Sequence, residues 1–219
     1  MKIIDYELNE KIHGIILNPY LSKKDFEENC SLIKKINLKN ISTSLNFLRY
    51  LKDAFSTKEI KINALISYPF ADLPNNFIKD LISFAKEEGA NRIEYTPKFF
   101  LLSQEQEELF ANDIEFLSNS DLPYTLIFNK HKLDKNTFQK SIKIALELGV
   151  TNFQFGDGFG PPMNLKDICE LKNFLSDNSI LKVVNGVRNI KEVIEIFNSG
   201  VDYVGTSNFK DIFQQINSN

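Results

Sequence analysis

The sequence has few of the residues that build disulfide or metal frameworks. Among its 219 residues there are two cysteines and two histidines. Cys30 and Cys169 lie far apart and outside any C-x-x-C spacing, which excludes a disulfide framework and a zinc cluster. No H-x-E, H-E-x-x-H or clustered Asp/His spacing is present, so we expect no metal site, and we expect no cofactor. Scarce cysteine is typical of a reducing compartment, and we predict a cytoplasmic location.

Long apolar runs and an excess of one charge are also missing. No apolar run approaches about 18 residues, and the first residues, MKIIDYELNEK, lack the apolar core of a signal peptide. We therefore expect neither export nor membrane insertion. The formal net charge is −3 and the lysines are scattered, which argues against binding to nucleic acid. An acidic ligand would need a local pocket.

The chain does contain a regular alternation of β-like runs and amphipathic helical patterns. Most of the runs are apolar throughout, which is typical of strands buried on both faces. We count eight of them, at residues 13–18, 39–45, 60–68, 91–96, 124–129, 151–156, 180–186 and 201–207. No linker rich in proline, glycine or serine divides the chain. We therefore predict one domain, residues 1–219, in which residues 1–11 are an N-terminal extension.

Helix boundaries are marked by capping residues and by glycine. We place N-caps at Ser22, Asp134 and Asn189, and a capping box at Ser103 and Gln106. Three predicted helices end at a glycine that leads directly into a strand, in the segments GANRIEY, GVTNFQF and GVDYVGT. These segments form a weak internal repeat.

Eight strands alternating with helices predict a (β/α)8 barrel of the TIM type. The chain is shorter than the roughly 250 residues usual for that fold. The alternative is an open doubly wound sheet, which is disfavoured because no G-x-G-x-x-G follows the first strand.

In such a barrel, functional residues lie at the C-terminal strand ends and in the loops that follow. This rule selects candidates on every strand: His13, Asn18, Thr43, Tyr68, Glu94, Asn129, residues 130–132, Gln154, Asp157, Lys182, Arg188 and residues 205–207. His131 lies between two lysines and is interpreted as solvated. His13 is equally well explained as a core histidine. The absence of G-x-S-x-G removes a serine hydrolase.

Small-residue turns follow the last three predicted strands, at residues 156–160, 185–188 and 205–207. Barrel enzymes often hold a phosphate beside strands 7 and 8, on backbone amides and a helix N-terminus. The hydroxyls of Thr206 and Ser207 and the charge of Arg188 would add to such a site. The alternative is that these are ordinary turns and that Arg188 is solvated.

Two charged residues interrupt apolar strands. Lys182 lies within the run 181–184, and Glu94 lies between Ile93 and Tyr95. A lysine in a buried barrel strand must point into the lumen or bury its charge. Desolvation lowers a lysine pKa, which suits Schiff-base or proton-transfer chemistry. The alternative is a structural ion pair of Lys182 with Glu94.

These segments resemble deoxyribose-phosphate aldolase and its relatives. The resemblance runs from about Ile12 to Ile216 and is most specific after Gly149. There, TNFQFGDGFG is similar to the family's sixth strand, LKVVNGVRN to its seventh, and SGVDYVGTS to the phosphate turn after its eighth. ISYPFA is similar to the turn after the third strand, and GANRIEY to the fourth.

The resemblance implies roles residue by residue. Lys182 matches the family's second catalytic lysine, and Glu94 matches its strand-4 aspartate. The family's Schiff-base lysine falls on Gln154, its strand-1 aspartate on His13, and its strand-2 cysteine region on Thr43. The phosphate contacts match Gly158, Gly186, Val187, Arg188, Gly205, Thr206 and Ser207.

The replacement at Gln154 changes the expected chemistry, because an amide cannot form an imine with a carbonyl. We therefore predict an altered lyase for a small phosphorylated sugar or aldehyde, in which Lys182 is the nucleophile or a proton-transfer group. Glu94 or Asp157 would be the acid/base group, and Gln154 would orient a substrate oxygen. The alternative is an inactive aldolase-fold protein that binds a phosphorylated metabolite as a sensor or partner protein. A homodimer is left open.

Overall fold

The structure, a computed structural model, describes residues 5–56 and 59–217. Its strands are all parallel and follow one another in chain order around a closed barrel. They are β1 (Ile12–Ile16), β2 (Asn40–Ser44), β3 (Lys61–Ile66), β4 (Arg92–Tyr95), β5 (Tyr124–Phe128), β6 (Asn152–Phe155), β7 (Ile180–Val184) and β8 (Tyr203–Thr206). Each strand coincides with one of the predicted runs. The (β/α)8 barrel is confirmed, and the open sheet is wrong.

Helices follow the strands and cover the outside of the barrel. They are α1 (Asp5–Lys11), α2 (Lys23–Lys35), α3 (Leu48–Phe55), α4 (Asn75–Glu87), α5 (Phe100–Ser103), α6 (Glu107–Glu115), α7 (Lys135–Glu147), α8 (Leu165–Lys172), α9 (Ile190–Asn198) and α10 (Phe209–Asn217). Short 3-10 turns occupy Leu45–Phe47 and Phe116–Asn119. Within the described residues, no helix has the length and apolar character needed to cross a bilayer.

Three of the predicted N-caps are confirmed. The side chains of Ser22, Asp134 and Asn189 accept hydrogen bonds from backbone amides in the first turns of α2, α7 and α9. Such caps satisfy amides that have no partner within the helix. The three glycines predicted to end helices also have the expected left-handed backbone, with φ of +94°, +78° and +85°.

The capping box at Ser103 and Gln106 is wrong. Ser103 is the last residue of α5, and the left-handed Glu105 (φ 59°) separates it from α6. Gln106 precedes α6 without a side-chain cap. The two residues therefore belong to a break between helices, where the reciprocal bonds of a capping box cannot form.

The segment predicted as an N-terminal extension contains α1. Leu8 is buried in the core. The carbonyl oxygen of Asn9 accepts from the amide of Lys39, and that of Glu10 accepts from Asn40 Nδ2 at 2.8 Å. These bonds attach α1 to the start of β2. Residues 1–4 of the predicted extension lie outside the described residues.

Inward-facing side chains form layers of four, because alternate strands contribute to each level of a barrel lumen. A lower layer comes from the odd strands, and a middle layer above it comes from the even strands. The lower layer is His13, Asn63, Thr125 and Lys182; the middle layer is Ser42, Glu94, Gln154 and Gly205; an apolar upper layer, again from the odd strands, is Ile15, Leu65, Ile127 and Val184. The middle layer therefore lies between a polar lower layer and an apolar upper layer.

Close packing between neighbouring strands leaves no room for a side chain at Gly156, just after β6. Its backbone has φ of +92°, and a Cβ atom would lie 1.8 Å from the carbonyl oxygen of Val184. Since that oxygen belongs to the backbone of β7, it cannot move aside easily. Gly156 holds the loop after β6 against the end of β7.

We expect Gly156→Ala to lower the free energy of unfolding by at least about 3 kcal/mol, because backbone strain adds to a clash. Gly149→Ala is the matched control, since its φ is +78° but no atom lies within 4 Å of the added carbon. It should lose about 1–2 kcal/mol, the cost of a left-handed backbone alone. Urea denaturation measures both, and equal losses would contradict the packing argument.

Candidate active site

A cavity of about 520 Å³ opens at the C-terminal end of the barrel, and we call it the upper cavity. The middle layer forms its floor, and Ile15, Leu65 and Val184 of the upper layer form part of its wall. Its rim comes from the loops after β6, β7 and β8 and from the start of α10. This is the end of the barrel at which functional residues were expected.

Lys182 and Glu94 form a buried ion pair in the lumen. Lys182 Nζ lies 2.6 Å from Glu94 Oε1 and donates to Ser42 Oγ at 2.9 Å. Ser42 in turn donates to Glu94 Oε1 at 2.9 Å. The lysine and the glutamate are 3% and 1% exposed. Burial lowers the pKa of Lys182, and the carboxylate of Glu94 opposes that shift.

The pair spans two levels of the lumen. Glu94 belongs to the middle layer and lines the upper cavity, whereas Lys182 lines a second cavity at the N-terminal end of the barrel. The lysine reaches up to the carboxylate from below. A Cβ atom at Gly205 would lie 2.9 Å from Lys182 Cε, so the glycine on β8 provides the space through which the lysine passes.

Gln154 occupies the floor beside the pair. Its Nε2 donates to the carbonyl oxygen of Gly156 at 3.0 Å. Two buried oxygens at the floor, Gln154 Oε1 and Glu94 Oε2, have no hydrogen-bond partner among the described residues. Buried acceptors without a donor are costly, and they mark places where a ligand or water completes the structure.

His13 faces the lumen next to the same carboxylate. Its Nδ1 lies 3.2 Å from Asn63 Nδ2, and 3.9 Å from Glu94 Oε1. Burial, followed by the charges of Lys182, Arg92 and Lys61, lowers the pKa of His13 well below 6.5. The ring is therefore neutral. Because an amide nitrogen donates to Nδ1, the proton is on Nε2.

Asp157, in the loop after β6, is 5% exposed and has both carboxylate oxygens occupied. Oδ1 accepts from Asn129 Nδ2 at 2.7 Å and from the Phe159 amide at 2.9 Å. Oδ2 accepts from Lys132 Nζ at 2.7 Å. The Tyr68 hydroxyl donates to the Asp157 carbonyl oxygen. This network joins the loops after β3, β5 and β6 at Asp157.

The residues predicted to bind phosphate line the upper cavity, with the exception of Arg188. Gly158, Gly186, Val187, Gly205, Thr206 and Ser207 line the upper cavity, whereas Arg188 is exposed and is not part of the lining. The Gly158 amide already donates to Asn185 Oδ1 at 2.6 Å. The Thr206 hydroxyl donates to the Val187 carbonyl oxygen at 2.8 Å. Among the described lining residues there is no lysine or arginine.

Thr43, the candidate on β2, does not point toward the side chains of the lumen. Its hydroxyl donates to the carbonyl oxygen of Ile16 at 2.8 Å, along the neighbouring strand. The preceding residue, Ser42, contacts the ion pair instead. Successive side chains of a strand point to opposite faces, so a shift of one residue exchanges the two sides. Ser42, Asn63 and Thr125 are polar lumen residues that were not among the candidates from the sequence.

The fold and lumen define a single-domain (β/α)8 barrel with a lysine–carboxylate pair under a cavity at the C-terminal end. No family model matches the chain. A deoxyribose-phosphate aldolase from Dictyoglomus turgidum is 21% identical over 206 residues, which are 92% of this chain and 94% of that protein. The comparisons support the assignment of the chain to the deoxyribose-phosphate aldolase family, as the resemblance of its motifs predicted.

Solved structures agree on the fold. An aldolase called QR15 superposes with a TM-score of 0.88 at 18% identity, covering 97% of this chain and 96% of that chain. A deoxyribose phosphate aldolase from Aeropyrum pernix, described as a unique tetramer, superposes with a TM-score of 0.83 at 14% identity. It covers 98% of this chain and 92% of that chain. At these identities the likeness shows the barrel and not the reaction.

Removing both charges of the ion pair should cost less than the sum of the losses from removing each one alone. Lys182→Met leaves Glu94 buried without its partner, and we expect a loss of about 3–5 kcal/mol in unfolding free energy. With Glu94→Gln in the same chain, the loss should fall below the sum of the single losses by at least about 1 kcal/mol. Denaturation of the wild type, both single variants and the double variant measures this coupling. Simple additivity would contradict a direct interaction.

The neutral His13 should make the protein less stable in acid. The native state binds this proton more weakly than the unfolded state, so stability falls as the pH drops through 6.5. In His13→Gln the slope of stability against pH just below 6.5 should decrease by up to about 1.4 kcal/mol per pH unit. The exposed His131 offers the control His131→Gln. A larger change in the control would refute the assignment.

Proposed function

We propose that the chain is an aldolase-type lyase that acts on a small phosphorylated sugar or aldehyde in the upper cavity. One observation carries the proposal. Glu94 lines this cavity, its Oε1 is held by Lys182 and Ser42, and its Oε2 has no partner among the described residues. The curated relatives named deoxyribose-phosphate aldolase supply the class of reaction and of substrate.

Glu94 is the group we assign to proton transfer. In an aldol cleavage a base removes the proton of a substrate hydroxyl, and the adjacent carbon–carbon bond breaks. The hydroxyl carbon becomes a carbonyl, and the electron pair moves to the other fragment, which then takes up a proton. Carboxylates within hydrogen-bond reach perform such transfers. Lys182, 2.6 Å from Oε1, can return the proton through the carboxylate.

The geometry favours Lys182 as a proton-transfer group over Lys182 as a nucleophile. Imine formation needs a free amine that reaches the substrate carbonyl. The ammonium of Lys182 is bound to Glu94 and Ser42, and the residue lines the lower end of the lumen rather than the upper cavity. Gln154 would orient a substrate oxygen, and Asp157 would hold the loop over the site.

The phosphate end of the ligand would rest on backbone groups rather than on side-chain cations. Gly186 and Ser207 line the rim, and α10 begins at Phe209 beside them. A helix N-terminus and glycine-rich turns suit an oxyanion. Arg188 is exposed and does not line the cavity, so we do not place it against the phosphate.

A second function, binding of a phosphorylated metabolite without turnover, is favoured by a specific observation. The family's Schiff-base lysine falls on Gln154, and this side chain is 2% exposed and bonded to the carbonyl oxygen of Gly156. A protein that has lost its nucleophile but kept the cavity could act as a sensor or partner protein.

One experiment separates the two. Deoxyribose 5-phosphate and other small sugar phosphates are incubated with the protein, and aldehyde products are assayed. Turnover should fall about 10²–10⁴-fold in Glu94→Gln, the usual contribution of a proton-transfer group. Lys143→Met, on the outer surface of α7, should retain it.

Borohydride reduction followed by mass spectrometry of the intact chain tests the imine route. We expect no adduct on Lys182. An adduct that disappears in Lys182→Met would show that this lysine is the nucleophile after all. Saturable binding in calorimetry without turnover of any substrate would replace the lyase by the binding protein.

We also keep two further expectations as proposals. The first is a cytoplasmic location, with which the free thiols of Cys30 and Cys169 are consistent. A homodimer is to be tested by light scattering.

A further inference from the structure

The second cavity, at the N-terminal end of the barrel, does not hold the substrate of the proposed reaction, although Glu94 and Lys182 are part of its lining. It measures about 240 Å³, and we call it the lower cavity. The lower layer lines its inner end, and residues at the starts of the strands line its mouth. Lys61 at the start of β3 and Arg92 at the start of β4 join Lys182 in this lining.

The charge in this lining is unbalanced. Among the described side chains, Glu94 is the one carboxylate that lines the lower cavity, and it is already paired with Lys182. Lys61 has no ion-pair partner in the described part of the chain. Arg92 Nη1 donates to the Tyr124 carbonyl oxygen and to Thr125 Oγ1, both at 3.2 Å. Its Nε and Nη2 make no hydrogen bond to a described residue.

Several further groups in the lining can donate hydrogen bonds. The neutral His13 carries its proton on Nε2, which has no partner among the described residues. Tyr203, whose ring lies 5.0 Å from that of His13, adds a hydroxyl. Lys61, Arg92 and Lys182 all lower the pKa of His13, so the three positive charges act on the same part of the lumen. Cations and donors in one enclosed space favour an anion.

The charged residues that line the upper cavity can be compared with those of the lower cavity. Its described lining contains two carboxylates, Glu94 and Asp157, and neither lysine nor arginine. The two ends of one barrel therefore differ in sign. A free anion held by side-chain cations therefore matches the lower end, whereas a phosphate group in the upper cavity would rest on backbone amides.

We propose that the lower cavity is a binding site for a small oxyanion, such as phosphate or a short dicarboxylate. Lys61 and Arg92 hold the anion at the mouth, and His13 and Tyr203 donate to it from inside. The site is separate from the substrate site of the proposed function. Its failure would leave that function untouched, because the test below requires no turnover.

The test uses the two histidines as reporters of position. His13 lines the lower cavity, and His131 lies in the exposed loop after β5, at the other end of the barrel. The imidazole NMR signals are recorded while inorganic phosphate is added, and again with succinate. We expect the His13 signal to shift and saturate, and the His131 signal to stay constant. The tighter of the two anions identifies the ligand class.

Two variants test whether the cations at the mouth hold the anion. Lys61→Met removes an exposed charge at the mouth, and Arg92→Met removes the guanidinium; each should weaken the binding seen at His13 at least about tenfold. If Arg92→Met fails to fold, Lys61→Met alone decides. The surface variant Lys143→Met should bind as the wild type does. A His13 signal that does not move with either anion, or equal weakening in Lys143→Met, would overturn the proposal.

Discussion

A buried positive charge must be matched by a carboxylate inside the barrel, and this constraint organises the lumen. Lys182 on β7 cannot point outward, because the outer face of its strand packs against apolar side chains. Inside, it needs a carboxylate and further acceptors to offset the loss of water. Glu94 and Ser42 supply them from the layer above. The polar character of the middle layer follows from this requirement.

The same pair divides the lumen into two chambers with different properties. Above it, an apolar layer and a rim of small residues form a space suited to an organic ligand. Below it, cationic and amide side chains remain near the strand starts. Glu94 lines both chambers, so a change at this one residue affects both ends of the barrel. The catalytic proposal and the anion proposal thus share a residue but not a ligand.

Features that depend on one strand at a time were predictable from the sequence. Apolar runs located every strand of the barrel, and the capping side chains of Ser22, Asp134 and Asn189 located helix starts. The charges at Lys182 and Glu94 stood out because each interrupts an apolar strand. The predictions that failed depend on how neighbouring strands are placed relative to one another. Whether Ser42 or Thr43 faces the lumen depends on the phase of β2, which its short sequence leaves undetermined.

The height of each lumen residue along the barrel axis could not be predicted from the sequence for a related reason. Lys182 lies below the floor of the upper cavity because of the stagger between neighbouring strands, which is set by the closure of the whole barrel. The hydrogen bonds to the two carboxylate oxygens of Asp157 likewise depend on Asn129 and Lys132, whose loop is distant in the chain. Only the assembled barrel brings these groups together.

The pairing of β6 with β7 has a consequence for redesign of this barrel. Gln154 is the direct neighbour of Lys182 in that pairing, and Gly205 leaves space beside the lysine. A lysine at position 154 would place two amines next to the single carboxylate of Glu94. One carboxylate can compensate one ammonium at so buried a position, so the second amine is shifted toward its neutral form. Because Glu94 Oε1 is already bound to Lys182, the amine at position 154 would lose its proton more readily than a lysine on the surface.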